Sequence, residues 1–169
     1  MKIITLWQPH ASLVALSEKK IETRGWSTDF RGEVAIHAAL GGLSTVELED
    51  MCRQKYFYAA LKKYEPFHDT AHFLRQNVRK VLPFGQILAV GTLSDCLPTE
   101  SVVCLPGVFD DYPELDTPQE RAFGNYAPGR FGFVFDNVRQ LKVPVPYKSR
   151  QGKLLDLDAA TESLVRGQL

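Results

Sequence analysis

The stretch "LWQPHASLVALSEKKIETRGWSTDFRGEVAIHA", Leu6 to Ala38, decides how this chain is read. The eight residues from Ser17 to Arg24 carry three positive side chains and two carboxylates, with Trp7 before them and Trp26 after. Upstream, "KIITLW" is short and β-branched, which predicts a strand with Trp7 at its end. Pro9 suits the first turn of a helix, where its missing N–H costs nothing. Ala11, Val14 and Ala15 then continue as a helical stripe into Leu16–Lys19. Downstream, "GEVAIHA" alternates as a strand, with Val34, Ile36 and Ala38 on one face and Ala35 and His37 on the other. Lys19, Glu22 and Arg24 therefore leave a helix end and enter an extended segment, where Glu22 and Arg24 point to the same side.

Two readings fit this cluster. One is a surface ion-pair network, which contributes little to stability. The other is a site in which the carboxylate holds one cation while the rest face a ligand. Trp7 reads as a core residue or as a stacking platform; Trp26, in polar "RGWSTDFRG", reads equally well either way. His37 reads as a histidine satisfied within the core or at a sheet edge, or as part of a polar wall. Their combination favours a site, because a base stacks well on an aromatic face beside hydrogen-bonding side chains.

The rest of the chain sets the frame. Its 169 residues suffice for one domain with a real core, and 44% apolar content with ten Phe indicates a folded globule. Twenty Lys and Arg balance twenty Asp and Glu, so a general coat for duplex DNA is excluded and nucleic-acid binding would be local. "FDDYPELDTPQE" is acidic, whereas Arg139 to Lys153 carries five positive side chains and no acid. Cys52, Cys96 and Cys104 have no CxxC spacing and are odd in number, which suits a reducing cytoplasm. Gln8-Pro9-His10 interrupts any signal-peptide core, and no run is apolar enough for a membrane helix.

Ser44 and Glu47 form a capping box that predicts a helix through about Leu61, and Asp69 caps a second running to Leu82. "GQILAVGTLSDC" and "RFGFVFDNVRQL" read as strands, and "VPVPYK" as an edge or loop. Strands at both ends with helices between them predict an α+β fold around a small sheet or barrel. His68 and His72 imitate a zinc-protease helix, but Asp69 is explained as the cap, so no metal is expected. Neither a nucleophile elbow nor a phosphate-gripping glycine loop is present, and no cofactor is expected.

The motif Ser17, Lys19, Glu22, Arg24 resembles the G-x-K-x-x-E-x-R hallmark of ASCH domains, the activating-signal-cointegrator homology group of the PUA-like superfamily, with serine in place of the glycine. "LPFGQILAVGTLSDC" and the segments Gly129-Arg130-Phe131, Asn137 to Leu141 and Lys148 to Gly152 are similar to that family's second half. The resemblance covers both ends and leaves about 43–82 as a helical insertion. It implies a single domain, 1–169: a small PUA-like β-barrel flanked by helices, with a cleft lined by the charged cluster.

For this group the resemblance implies RNA binding, here of single-stranded RNA or a modified nucleobase or nucleoside. On that reading Trp7 or Trp26 stacks, and Lys19, Glu22 and Arg24 hydrogen-bond. Gln8 and His37 form a polar wall, and Arg130, Lys148 and Arg150 contact phosphate. Some small bacterial members hydrolyse N4-acetylcytidine with a lysine, a threonine nucleophile and a glutamate. Lys19 matches the lysine, but Glu22 stands at the threonine position with Thr23 beside it. An amidohydrolase here would use Glu22 as general base with Lys19, and Glu120 is the candidate third acid. Leu40 and Leu154 replace a lysine and a tryptophan common in the family, which thins the basic funnel. A third reading is a protein-interaction module built on the Leu43–Leu82 helices.

Overall fold

The computed structural model describes residues 1–62, 78–100, 106–149 and 152–169. Six strands form one mixed sheet: β1 (Lys2–Leu6), β2 (Ile21–Arg24), β3 (Gly32–Ala38), β4 (Gln86–Pro98), β5 (Phe131–Pro146) and β6 (Leu155–Asp156), in the order β2-β5-β4-β3-β1-β6. β1 and β3 run parallel; every other pairing is antiparallel. This is the expected α+β class, but the sheet is not a closed barrel, since β2 and β6 remain as edges.

The sheet nevertheless coils. Arg24 on edge strand β2 donates through Nη2 to the Thr5 carbonyl on β1 at 2.7 Å, although β5, β4 and β3 intervene in strand order. Register slips between β4 and β5 at Ile87/Ala89, Val90/Thr92 and Leu93/Asp95 supply the extra twist, as bulges do. A side chain thus spans the gap that main-chain pairing leaves open.

Helix α1 (His10–Ala15) packs Ala11, Val14 and Ala15 against the face carrying Ile4, Leu6, Val34, Ile36, Phe133 and Phe135. The other face, with Ile3, Ala35, Ile87 and Val90, is covered by Val165 of the C-terminal helix Ala159–Gly167. The alternation read from "GEVAIHA" therefore sorts its residues onto these two faces as expected. α1 is shorter than its stripe suggests, because the chain turns at Ser17, whose φ of 59° is left-handed and ends the helical path.

The Ser44/Glu47 capping box is present and opens α2 (Thr45–Arg53). The single helix expected through Leu61 is broken at Gln54, whose ψ of 143° is extended, and α3 (Lys55–Leu61) begins after it. The next helix described, α4, covers Val78–Val81; Asp69, His68 and His72 lie outside the described residues. Leu48, Cys52, Phe57, Ala60, Leu61 and Val78 join Leu13 of α1 in a second core cluster. Among the described residues, the apolar face of this insertion is thus mostly buried internally, although Val46 is exposed. "VPVPYK" lies at an edge, as expected, because β5 runs on through Pro144 to Pro146 with no β2 beside it. Its prolines fall beyond the reach of β2, which pairs only with Phe131–Val134, so their missing N–H groups break no β2 ladder.

Among the described residues, no helix is long and apolar enough to cross a membrane.

Candidate functional site: a cleft between two tryptophans

β2 carries the site. It pairs with β5 through Glu22↔Phe133 and Arg24↔Phe131, and the period of two points Glu22 and Arg24 into one cleft. That cleft has a volume of about 700 Å³. Trp7 and Trp26 both line it, as the flanking positions suggested. Trp7 is 42% exposed, with Gly42 close against its indole. Trp26 is half-buried and meets Phe133 edge-on at 4.8 Å.

The charged cluster is layered. Lys19 is 0% exposed and does not line the cleft. Its Nζ donates to the Phe123 carbonyl at 2.7 Å and stands 3.6 Å from Glu22 Oε2. Lys19 therefore supports the carboxylate from behind rather than meeting a ligand. Arg24 Nε lies 3.3 Å from Glu22 Oε1 but is not aligned for a hydrogen bond, and it has no other partner among the described residues. Arg130 also lines the cleft, its guanidinium anchored on the Asn125 and Thr23 carbonyls at 3.0 and 3.1 Å. Thr23 lines it too, while its Oγ1 accepts from the Asn125 N–H at 3.0 Å.

Several expected wall residues sit elsewhere. Gln8 is buried and does not line the cleft; Nε2 donates to the Pro83 carbonyl at 2.6 Å and Oε1 accepts from the Ser12 N–H at 3.2 Å. His37 is satisfied within the core, between Thr5 Oγ1 at 3.1 Å and the Tyr147 carbonyl at 3.0 Å. Burial lowers its pKa, against the opposing contact with the Tyr147 carbonyl. Lys148 is exposed and away from the cleft lining, and Arg150 lies outside the described residues.

Glu120, the candidate third acid, sits on the helix Pro118–Phe123 and clamps the start of β2. Its two oxygens accept from the Lys20 and Ile21 N–H groups, each at 2.9 Å. Burial raises its pKa despite Lys19 and those two donors. It does not line the cleft and has a structural task.

The structure adds residues that the sequence did not single out. Met51, Gln54 and Phe57 bring the insertion to the cleft wall. His10, the first residue of α1, lines it as well and meets Phe57 edge-on at 5.8 Å. Its pKa is lowered from 6.5 to about 4, first by burial and then by the Lys19 and Arg24 cations, with Glu22 opposing. The ring is neutral at physiological pH, and its Nδ1 is buried without a partner among the described residues. The only early signal was its position after Pro9 beside an apolar stripe.

No group of three or more His, Cys, Asp or Glu among the described residues is placed to hold a metal. No protein-family model matches the chain, and no curated protein matches it significantly.

Proposed function

We propose that this chain binds single-stranded RNA or a modified nucleobase or nucleoside in the cleft over Glu22 and Arg24. The observation that carries the reading is the convergence of two indole rings, a carboxylate and two guanidinium groups on one cavity of about 700 Å³. Stacking of a base on an aromatic side chain contributes about 1–3 kcal/mol and tolerates any base. The Glu22 carboxylate accepts from ring or exocyclic N–H groups, and Arg24 and Arg130 donate to carbonyl or phosphate oxygens. The reading takes the chain as an ASCH-type domain acting in a reducing cytoplasm, in keeping with the unpaired Cys52 and Cys96.

The test is fluorescence titration with short single-stranded RNAs and nucleosides on wild type and Trp7→Ala. Trp7 is partly exposed, so its truncation spares the core. Affinity should fall about tenfold, the equivalent of about 1.4 kcal/mol. Unchanged binding of the whole panel would sink the reading.

A second reading, an amidohydrolase acting on an acylated nucleoside such as N4-acetylcytidine, draws on one contact. The Glu22 carboxylate faces the cleft with the Lys19 ammonium 3.6 Å behind it, an arrangement for a general base acting on water. Glu22→Gln would then abolish acetate release while binding persists.

A further inference from the structure

The charges around the cleft do not all cancel. Arg24 Nε lies 3.3 Å and Lys19 Nζ 3.6 Å from the Glu22 carboxylate. Lys19 also faces Glu120, so these two cations are matched by two carboxylates. Arg130 lines the same cleft, is half-buried, and has no carboxylate partner among the described residues. Its contacts are with main chain: Nε donates to the Asn125 carbonyl at 3.0 Å and Nη2 to the Thr23 carbonyl at 3.1 Å. A guanidinium has five N–H groups, so with two spent three remain, both of those on Nη1 among them. A cleft wall with an unmatched, fixed cation attracts an anion.

The neighbours of Arg130 say what kind of anion. Asn125 lines the cleft, and its Oδ1 accepts from the Ala127 N–H at 3.0 Å. That bond fixes which end of the amide is the oxygen, so the part left for a ligand is the Nδ2 donor pair. Gly25 lines the cleft too, and a Cβ there would lie 4.0 Å from Arg130 Nη1. With glycine at that position no side chain obstructs the approach to Nη1. The nearby Thr23 and Asn125 carbonyls already accept from Arg130. What this corner presents is positive charge and N–H donors, the complement of a phosphate, whose ionised oxygens accept.

We propose that Arg130 and Asn125 form a phosphate subsite, and that the cleft takes a phosphorylated nucleotide in preference to the neutral nucleoside. The base lies over Glu22 and the phosphate on Arg130 and Asn125. Arg24, tied to the Thr5 carbonyl and beside Glu22, belongs to the base end. Arg130 stands next to Phe131, the register partner of Arg24, so the two ends are adjacent on the β2–β5 pair. Glu22 and Gly25 are three positions apart, at most about 10 Å of backbone, and a ribose bridges a gap of that order between a base edge and its phosphate. The inference rests on the nucleobase reading above and adds the charge of the ligand that reading would take. The phosphate is either a free monoester or the phosphodiester of a strand.

Calorimetric titration of the full chain with the common nucleosides, their 5′- and 3′-monophosphates and a short single-stranded RNA with hydroxyl ends tests it. The phosphorylated ligand should bind about tenfold tighter than the nucleoside, the effect of one charge-assisted hydrogen bond. That gain should shrink as salt is added. A monophosphate that outbinds the hydroxyl-ended RNA assigns the subsite to a monoester, and the reverse order assigns it to a phosphodiester. Arg130→Gln removes the charge. Asn125→Asp keeps an oxygen for the Ala127 N–H but sets a carboxylate in the subsite. Each should erase the gain from phosphate, and a gain that survives both overturns the assignment to this corner. Nucleosides that bind wild type as tightly as the monophosphates and the RNA overturn the inference while the nucleobase reading stands. That comparison needs no variant, so it decides the matter even if Arg130→Gln fails to fold. Failure of every nucleoside, every monophosphate and the RNA to bind overturns both.

Discussion

Acidification should destabilise this protein through His10 in a window set by its environment. His10 faces Lys19, Arg24 and Glu22, and burial with the two cations lowers its pKa from 6.5 to about 4. In the unfolded chain the imidazole binds a proton as pH falls through its ordinary value; in the folded protein it stays neutral until about 4. The stabilising contribution is therefore fully present above 6.5 and is lost progressively as pH falls towards about 4. Each pH unit in that window costs about 1.4 kcal/mol, so moving from about pH 7 to about pH 5 should remove about 2 kcal/mol. His37 also has a lowered pKa and contributes in the same direction, so a single pH series on wild type would mix the two. The assay is urea unfolding followed by circular dichroism at both pH values, on wild type and on His10→Phe. The variant keeps His37 and the ring contact with Phe57 but has nothing to protonate at position 10. Wild type should lose about 2 kcal/mol more than the variant between the two conditions. Equal losses would refute the view that this imidazole is held neutral by its neighbours.

Three further outcomes follow from contacts around the cleft. Ser17→Gly removes the Cβ from a left-handed backbone with φ of 59°. It should raise stability by about 0.5–1 kcal/mol, read as an increase of about 2–4 °C in melting temperature per kcal/mol. Lys19→Met keeps the length of the chain but strips the ammonium from the Phe123 carbonyl and from Glu22. Breaking a buried pair in this way should cost about 3 kcal/mol in urea unfolding. Glu120→Gln replaces one of two acceptor oxygens with an amide nitrogen facing a main-chain N–H. It should cost about 2 kcal/mol by the same measurement, and nucleoside affinity of the folded fraction should hardly change.

The sequence determined the elements whose signals are local. Strand β3 follows from period-two alternation, and Ser44 with Glu47 fixes the start of α2 because a capping box needs only four consecutive residues. The facing of Glu22 and Arg24 into one space also follows from strand geometry, and the choice of Trp7 and Trp26 as flanking walls from their positions on either side of the charged cluster. The tertiary structure decided the rest. Whether the sheet closes depends on twist accumulated over several bulges, and here it stops short, with Arg24 reaching across to Thr5. Residues such as Lys19, His37 and Glu120 carry the chemistry of a site in isolation. Which of them reach solvent depends on what packs above them: Phe123 and Glu22 hold Lys19, Thr5 and Tyr147 hold His37, and β2 takes both oxygens of Glu120. His10 and Gln54 lacked any motif, and only the docking of α1 and α3 beside β2 brings them to the same cavity. A side chain's chemistry is written in the sequence, but its access to a ligand depends on neighbours distant along the chain.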